Sequence, residues 1–263
     1  MEENETARRR MLIEDALDAV LPKASERPAV LGEAMRWAVE GGGKRIRPLV
    51  CLAAAEAVGG RLEDALFPAC AIELLHSYTL IHDDLPAMDN DAMRRGRASV
   101  WAKFGEANAI LAGDALQALA FQTAARAPRN VPALVAELGL RGVGVVAGQV
   151  EDIAQSPTPK PHSLSFIYEH KTADLFMAAA AMGALAGGAT PEQVARLRGF
   201  ARDLGLAFQY EDDLLDGDSP LARAETERRV RDLTAQAVAA LDGLPGDTAF
   251  LSHLAARLAR RTR

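Results

Sequence analysis

Helical periodicity runs through almost the whole chain of 263 residues and constrains its fold more than any other feature. Alanine-rich and leucine-rich segments repeat their apolar positions at helical spacing, and few β-branched or aromatic runs compete with them. The predicted helices extend from about Ala7 to Leu21, Val30 to Glu40, Pro48 to Val58, Asp64 to His82, Asn108 to Ala125, Val131 to Gln155, Ser163 to Ala186, Pro191 to Leu215 and Leu221 to Leu241.

Glycine-rich and proline-rich stretches separate these segments and mark the turns. Thr190 and Pro191 suit a helix start, with Thr190 as the N-cap and Pro191 in the first helical position. No shift in composition marks a domain boundary, and no repeat of fixed period is present. The sequence therefore predicts an all-α fold, a single large helical bundle forming one domain over residues 1–263.

Composition argues against several classes of protein. The formal net charge of -6, from 30 Lys and Arg against 36 Asp and Glu, is not that of a nucleic-acid binder. Two cysteines, Cys51 and Cys70, lie in apolar surroundings, which predicts no disulfide framework and a cytoplasmic location. The acidic start differs from a secretory leader, and we expect no membrane span, because charges or glycine pairs interrupt every apolar run.

Two aspartate clusters far apart in the chain carry the chemistry. Each places three carboxylates within one or two helical turns, where their mutual repulsion is costly unless a cation binds. Carboxylate oxygens favour Mg²⁺, which binds few protein ligands and keeps coordination sites for phosphate oxygens. We therefore predict a diphosphate held between two acidic walls, although aspartates near helix ends are more commonly caps or solvated surface. The clusters are Asp83, Asp84 and Asp89, and Asp212, Asp213 and Asp216.

Basic residues accompany the first cluster. Arg94, Arg95 and Arg97 follow it directly, and their guanidinium groups suit phosphate oxygens, although they also suit a solvated basic face. Upstream, the segment 41–48 places three glycines before Lys44 and Arg47, without the spacing of a P-loop. His76 lies two helical turns before Asp83 on the same face, where a structural histidine is the commoner interpretation. These residues predict a second anion site.

Taken together, these motifs resemble those of the trans-type isoprenyl diphosphate synthases, the polyprenyl synthetase family, and most closely its bacterial farnesyl diphosphate synthases. A lone Asp-Asp-x-x-Asp would be weak evidence, but six elements occur here in the family's order. The matching segments are 42–48, 76–89, 111–117, 148–152, 170–172 and 208–216.

The resemblance implies a bundle of the isoprenoid synthase type with a central active-site cavity. It implies a head-to-tail condensation of isopentenyl diphosphate with dimethylallyl or geranyl diphosphate, giving farnesyl diphosphate. Arg94 and Lys171 would hold the allylic diphosphate, and Thr172 and Gln209 would line the reacting region. By the same resemblance, the isopentenyl diphosphate would be held by Lys44, Arg47, His76 and Arg95.

The resemblance also implies three Mg²⁺ ions. Asp83 and Asp89, in the cluster with Asp84, would bind two of them, and Asp212, with Asp213 and Asp216 nearby, would bind a third. The released diphosphate would act as the base for the final proton loss, so that no dedicated protein base is needed. A homodimer is the expected assembly.

Product length is predicted from the positions four and five residues before the first motif, Thr79 and Tyr78. In the polyprenyl synthetase family that the motifs resemble, large side chains at these positions form the floor of the hydrocarbon tunnel. At ~1.5 Å per residue, Tyr78 lies roughly 7.5 Å along the helix from Asp83. We expect it to favour the farnesyl product, with geranyl and geranylgeranyl as near alternatives, although Tyr78 would also suit a helix interface.

Several departures from the family pattern affect these expectations. Ala98 replaces a proline and Trp101 a histidine, Ala173 replaces a glycine, and Asp174 adds a carboxylate that would weaken anion binding unless it is paired. After Asp216 the sequence lacks a loop of relatives that closes over the allylic diphosphate. Either the protein has lost this lid or the sequence omits a mobile segment, and we favour the omission. If the lid is absent, an ionisation-only terpene synthase and an inactive regulatory subunit are alternatives to an active synthase.

Overall fold

The structure, a computed structural model, describes residues 2–155, 161–217, 219 and 221–259. Their regular structure is almost wholly helical, which confirms the predicted all-α class. The α-helices are α1 (Glu2–Val20), α2 (Ala29–Val39), α3 (Ile46–Ala57), α4 (Leu66–Asp83), α5 (Val100–Phe104), α6 (Glu106–Ala124), α7 (Val131–Gln155), α8 (Pro161–Ile167), α9 (Asp174–Gly187), α10 (Pro191–Asp216), α11 (Arg223–Ala239) and α12 (Ala249–Leu258). The other elements are a 3-10 turn (Leu62–Ala65), a π-helical turn (Tyr168–Ala173, hereafter the π-turn) and the antiparallel strands β1 (Met93–Arg94) and β2 (Arg97–Ala98).

All nine helical segments predicted from periodicity are present. The segment predicted from Ser163 to Ala186 is divided, because the π-turn joins α8 to α9. Helices α5 and α12 were not predicted. Five residues are too few for α5 to show a period, whereas α12 does carry an apolar face that periodicity could have revealed, formed by Leu251, Leu254, Ala255 and Leu258.

The ends of α10 follow from its sequence. Gln193 N donates to Thr190 Oγ1 at 3.3 Å, and Thr190 N donates to Gln193 Oε1 at 2.9 Å, which completes a capping box. Pro191 occupies the first turn, where its missing N–H is not needed. Gly217 ends the helix with a φ of +83°, which glycine adopts without steric cost. The predicted N-cap role of Thr190 is thus confirmed.

The described residues form two compact units, one of residues 2–49 and 66–127 and the other of 50–65 and 128 onward. A single domain over residues 1–263 stays a prediction. In the first unit α4 packs mainly against α6, with smaller contacts to α1 and α2. All residues of α4 from Pro68 to Leu75 are buried, so this helix is the core of the unit.

A buried ion-pair cluster holds the start of α3 in the first unit. Arg45 donates to Glu73 at 2.6 Å and to Glu14 at 2.8 Å, and Arg45 and Glu73 are each 3% exposed. Burial alone would lower the pKa of Arg45, but the hydrogen bond to Glu14 and the charge of Glu73 outweigh it and raise the pKa. Because a buried charge without a partner is costly, these three residues must stay together.

In the second unit α9 is the central element and packs against α7 and α10. Every residue of α9 from Asp174 to Ala184 is buried. Small residues let its backbone approach other segments closely. A Cβ added to Gly183 would lie 2.0 Å from Cys51 O, and one added to Gly187 would lie 2.8 Å from Ala55 O. The thiols of Cys51 and Cys70 are both buried.

Helix α7 has an unusually apolar exterior. Among the described residues, its stretch Val131–Ala154 alone is long and apolar enough to cross a membrane by length and composition, with 28% of the tested window buried. Its exposed apolar side chains include Leu140, Val143, Val150 and Ile153. The core helix of a soluble protein can be equally long and apolar. The expected absence of a membrane span therefore stays a prediction.

The contact at Gly183 gives a test of the packing of α9. We expect Gly183→Ala to destabilise the protein by about 1–3 kcal/mol, because the new methyl group meets a backbone carbonyl that cannot rotate away. The matched control is Gly199→Ala in α10, where a Cβ meets nothing within 4 Å. That change should stabilise by roughly 0.5–1 kcal/mol through helix propensity. Urea unfolding measures both, and equal effects would contradict the packing at Gly183.

Candidate active site

The first acidic motif lies where α4 ends. Asp83 is the last residue of α4, and the following turn returns the chain so that Asp89 N donates to Asp83 O at 2.9 Å. Asp83 is half-buried and Asp89 is exposed. The structure thus brings these two predicted metal ligands into one backbone turn at a solvent-accessible position.

Asp84 differs from its neighbours. It is 2% exposed, and its two oxygens accept from Arg94 Nε at 2.7 and 2.9 Å. Burial raises the pKa of the Asp84 carboxyl, and the Arg94 guanidinium opposes that rise, so the ion pair favours the ionised form. The metal role of Asp84 and the diphosphate role of Arg94 stay predictions. In this structure the Asp84 carboxylate and the Arg94 guanidinium are each other's ion-pair partner.

A tight hairpin presents the arginines that follow. Strands β1 and β2 pair Met93 with Ala98 and Arg94 with Arg97, leaving Arg95 and Gly96 as the turn, both with positive φ. Arg95 Nη1 donates to Gly42 O. A Cβ on Gly43 would lie 2.7 Å from Arg95 Nη1, which explains why glycine is needed in the segment 41–43. The two basic elements predicted from sequence therefore meet.

Arg47 and His76, both predicted to bind isopentenyl diphosphate, are in contact. Arg47 Nη1 lies 3.3 Å from His76 Nε2. Burial lowers the pKa of His76 well below its ordinary value, and the charges of Arg47, Arg95 and Arg94 lower it further. His76 is therefore neutral at pH 7, with Nε2 accepting from Arg47. Lys44, which precedes Arg47 by three residues in the sequence, is exposed.

Tyr78 is half-buried on α4 and contacts His82. Their ring centroids are 4.8 Å apart in an edge-to-face arrangement. His82 Nε2 lies 3.1 Å from Ile110 O, and a Cβ on Gly113 would lie 2.2 Å from that nitrogen. Burial raises the pKa of Tyr78, and the nearby carboxylates raise it further. Contacts along α4 and to α6 thus hold Tyr78 and His82.

A small, half-open pocket lies beside the hairpin in the first unit. Asp84 and three arginines are among its lining residues, together with Trp37. The Arg97 guanidinium lies 4.0 Å from the centroid of the Trp37 ring, and Lys103 Nζ lies 3.0 Å from it. Positive charge is therefore concentrated on this face of the unit. The arginines are Arg94, Arg95 and Arg97.

In the second unit, four side chains form a continuous hydrogen-bonded chain. Thr172 Oγ1 donates to Gln209 Oε1 at 2.7 Å, and Gln209 Nε2 donates to Asp213 Oδ1 at 2.9 Å. Tyr168 OH donates to the other oxygen of Asp213. Burial raises the pKa of Asp213, while its hydrogen bonds to Tyr168 and Gln209 oppose the rise. Of the predicted site residues, Thr172, Gln209 and Asp213 are thus brought together.

Both oxygens of Asp213 accept from protein donors, which leaves Asp212 and Asp216 as the stronger candidates for metal binding in this motif. Asp212 is half-buried and Asp216 is exposed. They are spaced i, i+4 on α10 and lie on one face. The metal role of Asp213 stays a prediction that requires its hydrogen bonds to rearrange.

Lys171 lies in the π-turn and pairs with α7. Its Nζ is 2.6 Å from Asp152 Oδ2, and both side chains are partly exposed. A Cβ on Gly148 would lie 2.4 Å from Lys171 N, so the turn and α7 are in backbone contact. Asp152 lies in the matching segment 148–152, but the sequence predicted no role for it. The spacing of four residues between Gly148 and Asp152, which places both on one face of α7, could have indicated that Asp152 lies near the π-turn.

The departures from the family pattern have structural partners. Asp174 is 1% exposed, and its carboxylate accepts from Arg141 Nη1 and His170 Nδ1, each at 2.8 Å. The added carboxylate is therefore paired, as its tolerance required. Trp101 Nε1 donates to Asp91 O at 2.9 Å, and Ala98 O accepts from Trp37 Nε1 at 2.9 Å. The missing lid concerns the segment containing Asp218 and Pro220, which lie outside the described residues.

The donor set fits Mg²⁺ that arrives with a diphosphate. Within residues 2–155, 161–217, 219 and 221–259, no group of three or more His, Cys, Asp or Glu side chains forms a ready metal site. Mg²⁺ is commonly held by one or two carboxylates plus phosphate oxygens rather than by an all-protein cage. Asp83 with Asp89, and Asp212 with Asp216, are carboxylate pairs of that kind.

Comparison with known proteins gives a consistent result. A family model described as "Polyprenyl synthetase" matches residues 28–241. The chloroplastic geranylgeranyl pyrophosphate synthase of Capsicum annuum is 48% identical over 198 residues, which cover 72% of this chain and 54% of that protein. The geranylgeranyl diphosphate synthase of Cyanophora paradoxa is 42% identical over 217 residues, covering 79% and 72%.

A solved structure agrees with these relatives. The apo FPP/GFPP synthase of Zymomonas mobilis has a TM-score of 0.88 at 34% identity, covering 97% of this chain and 98% of the other. The chain spans little more than half the length of the first two curated relatives, 54% and 58%. The family match covers most of the chain, and the resemblance seen in its motifs is confirmed. The chain belongs to the polyprenyl synthetase family.

Proposed function

We propose that the chain is a Mg²⁺-dependent short-chain prenyltransferase that condenses isopentenyl diphosphate with an allylic diphosphate. The observation that carries this proposal is the electrostatics around His76. Burial and the charges of four arginines lower its pKa, so a neutral imidazole lies among four guanidinium groups. Such a site suits an anion with several phosphate oxygens. The geranylgeranyl synthases and the FPP/GFPP synthase among the similar proteins support the same chemistry.

The proposed roles of the residues are those that the family resemblance implies. Lys44, Arg47, His76 and Arg95 would hold the isopentenyl diphosphate, and Lys171 with Arg94 would hold the allylic one. Asp83, Asp89, Asp212 and Asp216 would hold Mg²⁺ with the allylic diphosphate. When bound, the metal neutralises charge on the departing diphosphate. The cationic side chains stabilise the same group as its carbon–oxygen bond breaks.

The hydrogen-bonded chain of the second unit gives Thr172 a defined polarity. Asp213, when ionised, only accepts, so Gln209 presents its NH₂ group to it. The Gln209 oxygen then accepts the hydroxyl proton of Thr172. The hydroxyl hydrogen of Thr172 therefore points toward Gln209. The lone pairs on the Thr172 oxygen stay available to stabilise an allylic cation. Tyr168 supports this order by occupying the second oxygen of Asp213.

Geranylgeranyl diphosphate is the product we propose. The first eight curated relatives are named geranylgeranyl synthases, and the eight are 42–48% identical to the chain. This supports the alternative from sequence over the farnesyl product. Farnesyl diphosphate remains the second candidate on one observation. Tyr78 is held at its position on α4 by His82, where its bulk would limit the length of a hydrocarbon chain.

A homodimer is also proposed, supported by the exterior of α7. The side chains of Leu140, Val143 and Val150 are 63%, 72% and 62% exposed on one face of the helix. An apolar stripe of this kind is typical of an association surface. A second copy of the chain is the proposed occupant. A reducing cytoplasm is likewise proposed, and it suits two buried, free thiols, of which burial raises the pKa of Cys70 to about 12.

The carboxylate pair of the first motif gives the central test of activity. Asp83→Asn should lower kcat/KM by about 100-fold or more, because one metal ligand and its charge are lost. Asp91→Asn is the matched control, an exposed aspartate nearby in the same loop, and should retain activity within about threefold. The assay uses isopentenyl and geranyl diphosphates with Mg²⁺, and products are identified by mass spectrometry.

The same assay decides between the activities considered. EDTA should abolish product formation by the unaltered chain. Cyclised hydrocarbon or free prenyl alcohol would contradict the coupling reaction and favour an ionisation-only enzyme. Binding of both substrates without turnover would favour a regulatory subunit.

Substitution of Tyr78 tests the product-length assignment. If Tyr78 limits the hydrocarbon, Tyr78→Ala should shift the product toward a chain at least one five-carbon unit longer, because the ring no longer fills the space beside His82. Tyr78→Phe keeps the ring and should keep the product length. Mass spectrometry of the dephosphorylated products measures both. An unchanged distribution in Tyr78→Ala would show that Tyr78 only packs in a helix interface.

The dimer is tested by placing a charge on the apolar stripe. Val143→Lys should convert a dimer to a monomer in size-exclusion chromatography with light scattering, because a lysine at the centre of the stripe would be desolvated on association. Met11→Lys, at an equally exposed apolar residue of α1, is the control and should leave the mass unchanged. A monomeric unaltered chain, or a dimer in Val143→Lys, would contradict this interface.

A further inference from the structure

One face of α7 carries its ion pairs and close backbone contacts to the π-turn. At ~100° per residue, the five residues of this face lie within roughly 80° around the helix axis. Two of them are glycines and three are charged, and each contacts α9, α10 or the π-turn. We call these residues the clamp face. They are Glu137, Arg141, Gly144, Gly148 and Asp152.

The glycines of the clamp face let the π-turn approach to backbone contact. A Cβ on Gly148 would lie 2.4 Å from Lys171 N and 2.9 Å from His170 C. A Cβ on Gly144 would lie 1.9 Å from Asp174 Oδ2. Any larger residue would displace the turn, so the position of Lys171 depends on this contact.

Asp174 supplies the polar part of the contact. One oxygen accepts from Arg141 Nη1 on α7, and the other accepts from His170 Nδ1 in the π-turn, each at 2.8 Å. The carboxylate is 1% exposed, so both of its oxygens are satisfied by protein donors in a dry environment. Lys171 and Thr172 lie between His170 and Asp174 in the sequence. The two hydrogen bonds therefore enclose the two residues proposed to act on the allylic substrate.

The π-turn is a candidate for such support because π-helical geometry is rare in proteins. Ordinary α-helical geometry in this segment would rotate Lys171 and Thr172 relative to α9. Lys171 would then leave Asp152, which it contacts at 2.6 Å, and Thr172 would leave Gln209, which it contacts at 2.7 Å. Both contacts therefore depend on the segment that Asp174 holds.

We propose that Asp174 is a positioning residue, whose carboxylate fixes the π-turn against the clamp face and so orients Lys171 and Thr172. The inference rests on the proposed function for its catalytic consequence. Asp174 does not touch the substrate. Asp174 acts through Arg141 and His170. The sequence predicted that its carboxylate would weaken anion binding, whereas in this proposal the carboxylate supports anion binding.

Asp174→Asn tests the proposal, since it keeps the shape of the side chain and removes its charge and one acceptor. We expect the KM for the allylic diphosphate to rise ~10-fold or more, as slight misplacement of a binding group has large effects. The KM for isopentenyl diphosphate should stay within ~2-fold, because its proposed ligands are in the first unit and far from this ion pair in sequence. Affinity for inorganic diphosphate with Mg²⁺, measured by calorimetry, should fall by the same ~10-fold. Hydrogen exchange of amides 168–173 should become faster.

Two further variants make the test specific. Arg141→Gln removes the partner of Asp174 and should reproduce its effects, with the double variant no worse than either single one. Glu73→Gln is the control. Glu73 is 3% exposed and pairs with Arg45 at 2.6 Å on α4, an element that carries no residue of the clamp face or the π-turn. It should lower stability without changing the allylic KM or exchange in 168–173.

Three results would overturn the proposal. Asp174→Asn with unaltered constants and exchange would show that the π-turn holds itself. A lower allylic KM would show that the carboxylate only repels the diphosphate. The same changes in Glu73→Gln would show general destabilisation. An inactive unaltered chain would instead contradict the proposed function, while calorimetry and hydrogen exchange would still decide the role of Asp174.

Discussion

Close approach of backbone at glycine is the constraint on which both units depend. In the second unit, Gly183 lies against Cys51 O, and Gly148 lies against the backbone of Lys171. In the first unit, Gly43 makes room for the guanidinium of Arg95, and Gly113 makes room for the ring of His82. The backbone contacts at Gly183 and Gly148 leave no space for a Cβ, whereas a Cβ at Gly43 or Gly113 would have to displace a side chain. The same packing that builds the helical cores therefore places the functional side chains, because a shift of one helix would move the residues it carries.

Charge is arranged by the same packing. Buried charges are paired across elements, as in Arg45 with Glu73, Arg94 with Asp84 and Arg141 with Asp174. Pairing removes the cost of burial and fixes the geometry of each neighbouring segment. Burial and the charges of the arginines around His76 lower its pKa, and a phosphate group bound in the first unit would offset those charges. Structural ion pairs thus hold the elements of each unit.

The relatives and the site geometry support one chemistry but differ on product length. Identity to geranylgeranyl synthases favours a long product, whereas the bulk of Tyr78 favours a shorter one. These observations act on different parts of the problem. Overall identity reports the fold and the diphosphate chemistry, whereas chain length depends on the volume beside a few side chains. A local feature of α4 can therefore set the product without altering the family.

The sequence by itself determined the all-α class, every long helix and the Thr190 cap, because these follow from local periodicity and capping. It also identified both aspartate clusters and the basic residues between them. Only the tertiary structure decided that Asp84 pairs with Arg94, that Asp213 accepts from Tyr168 and Gln209, and that Asp174 accepts from Arg141 and His170. Most of these partners are distant in sequence, so their pairing depends on how helices pack. No local pattern encodes that.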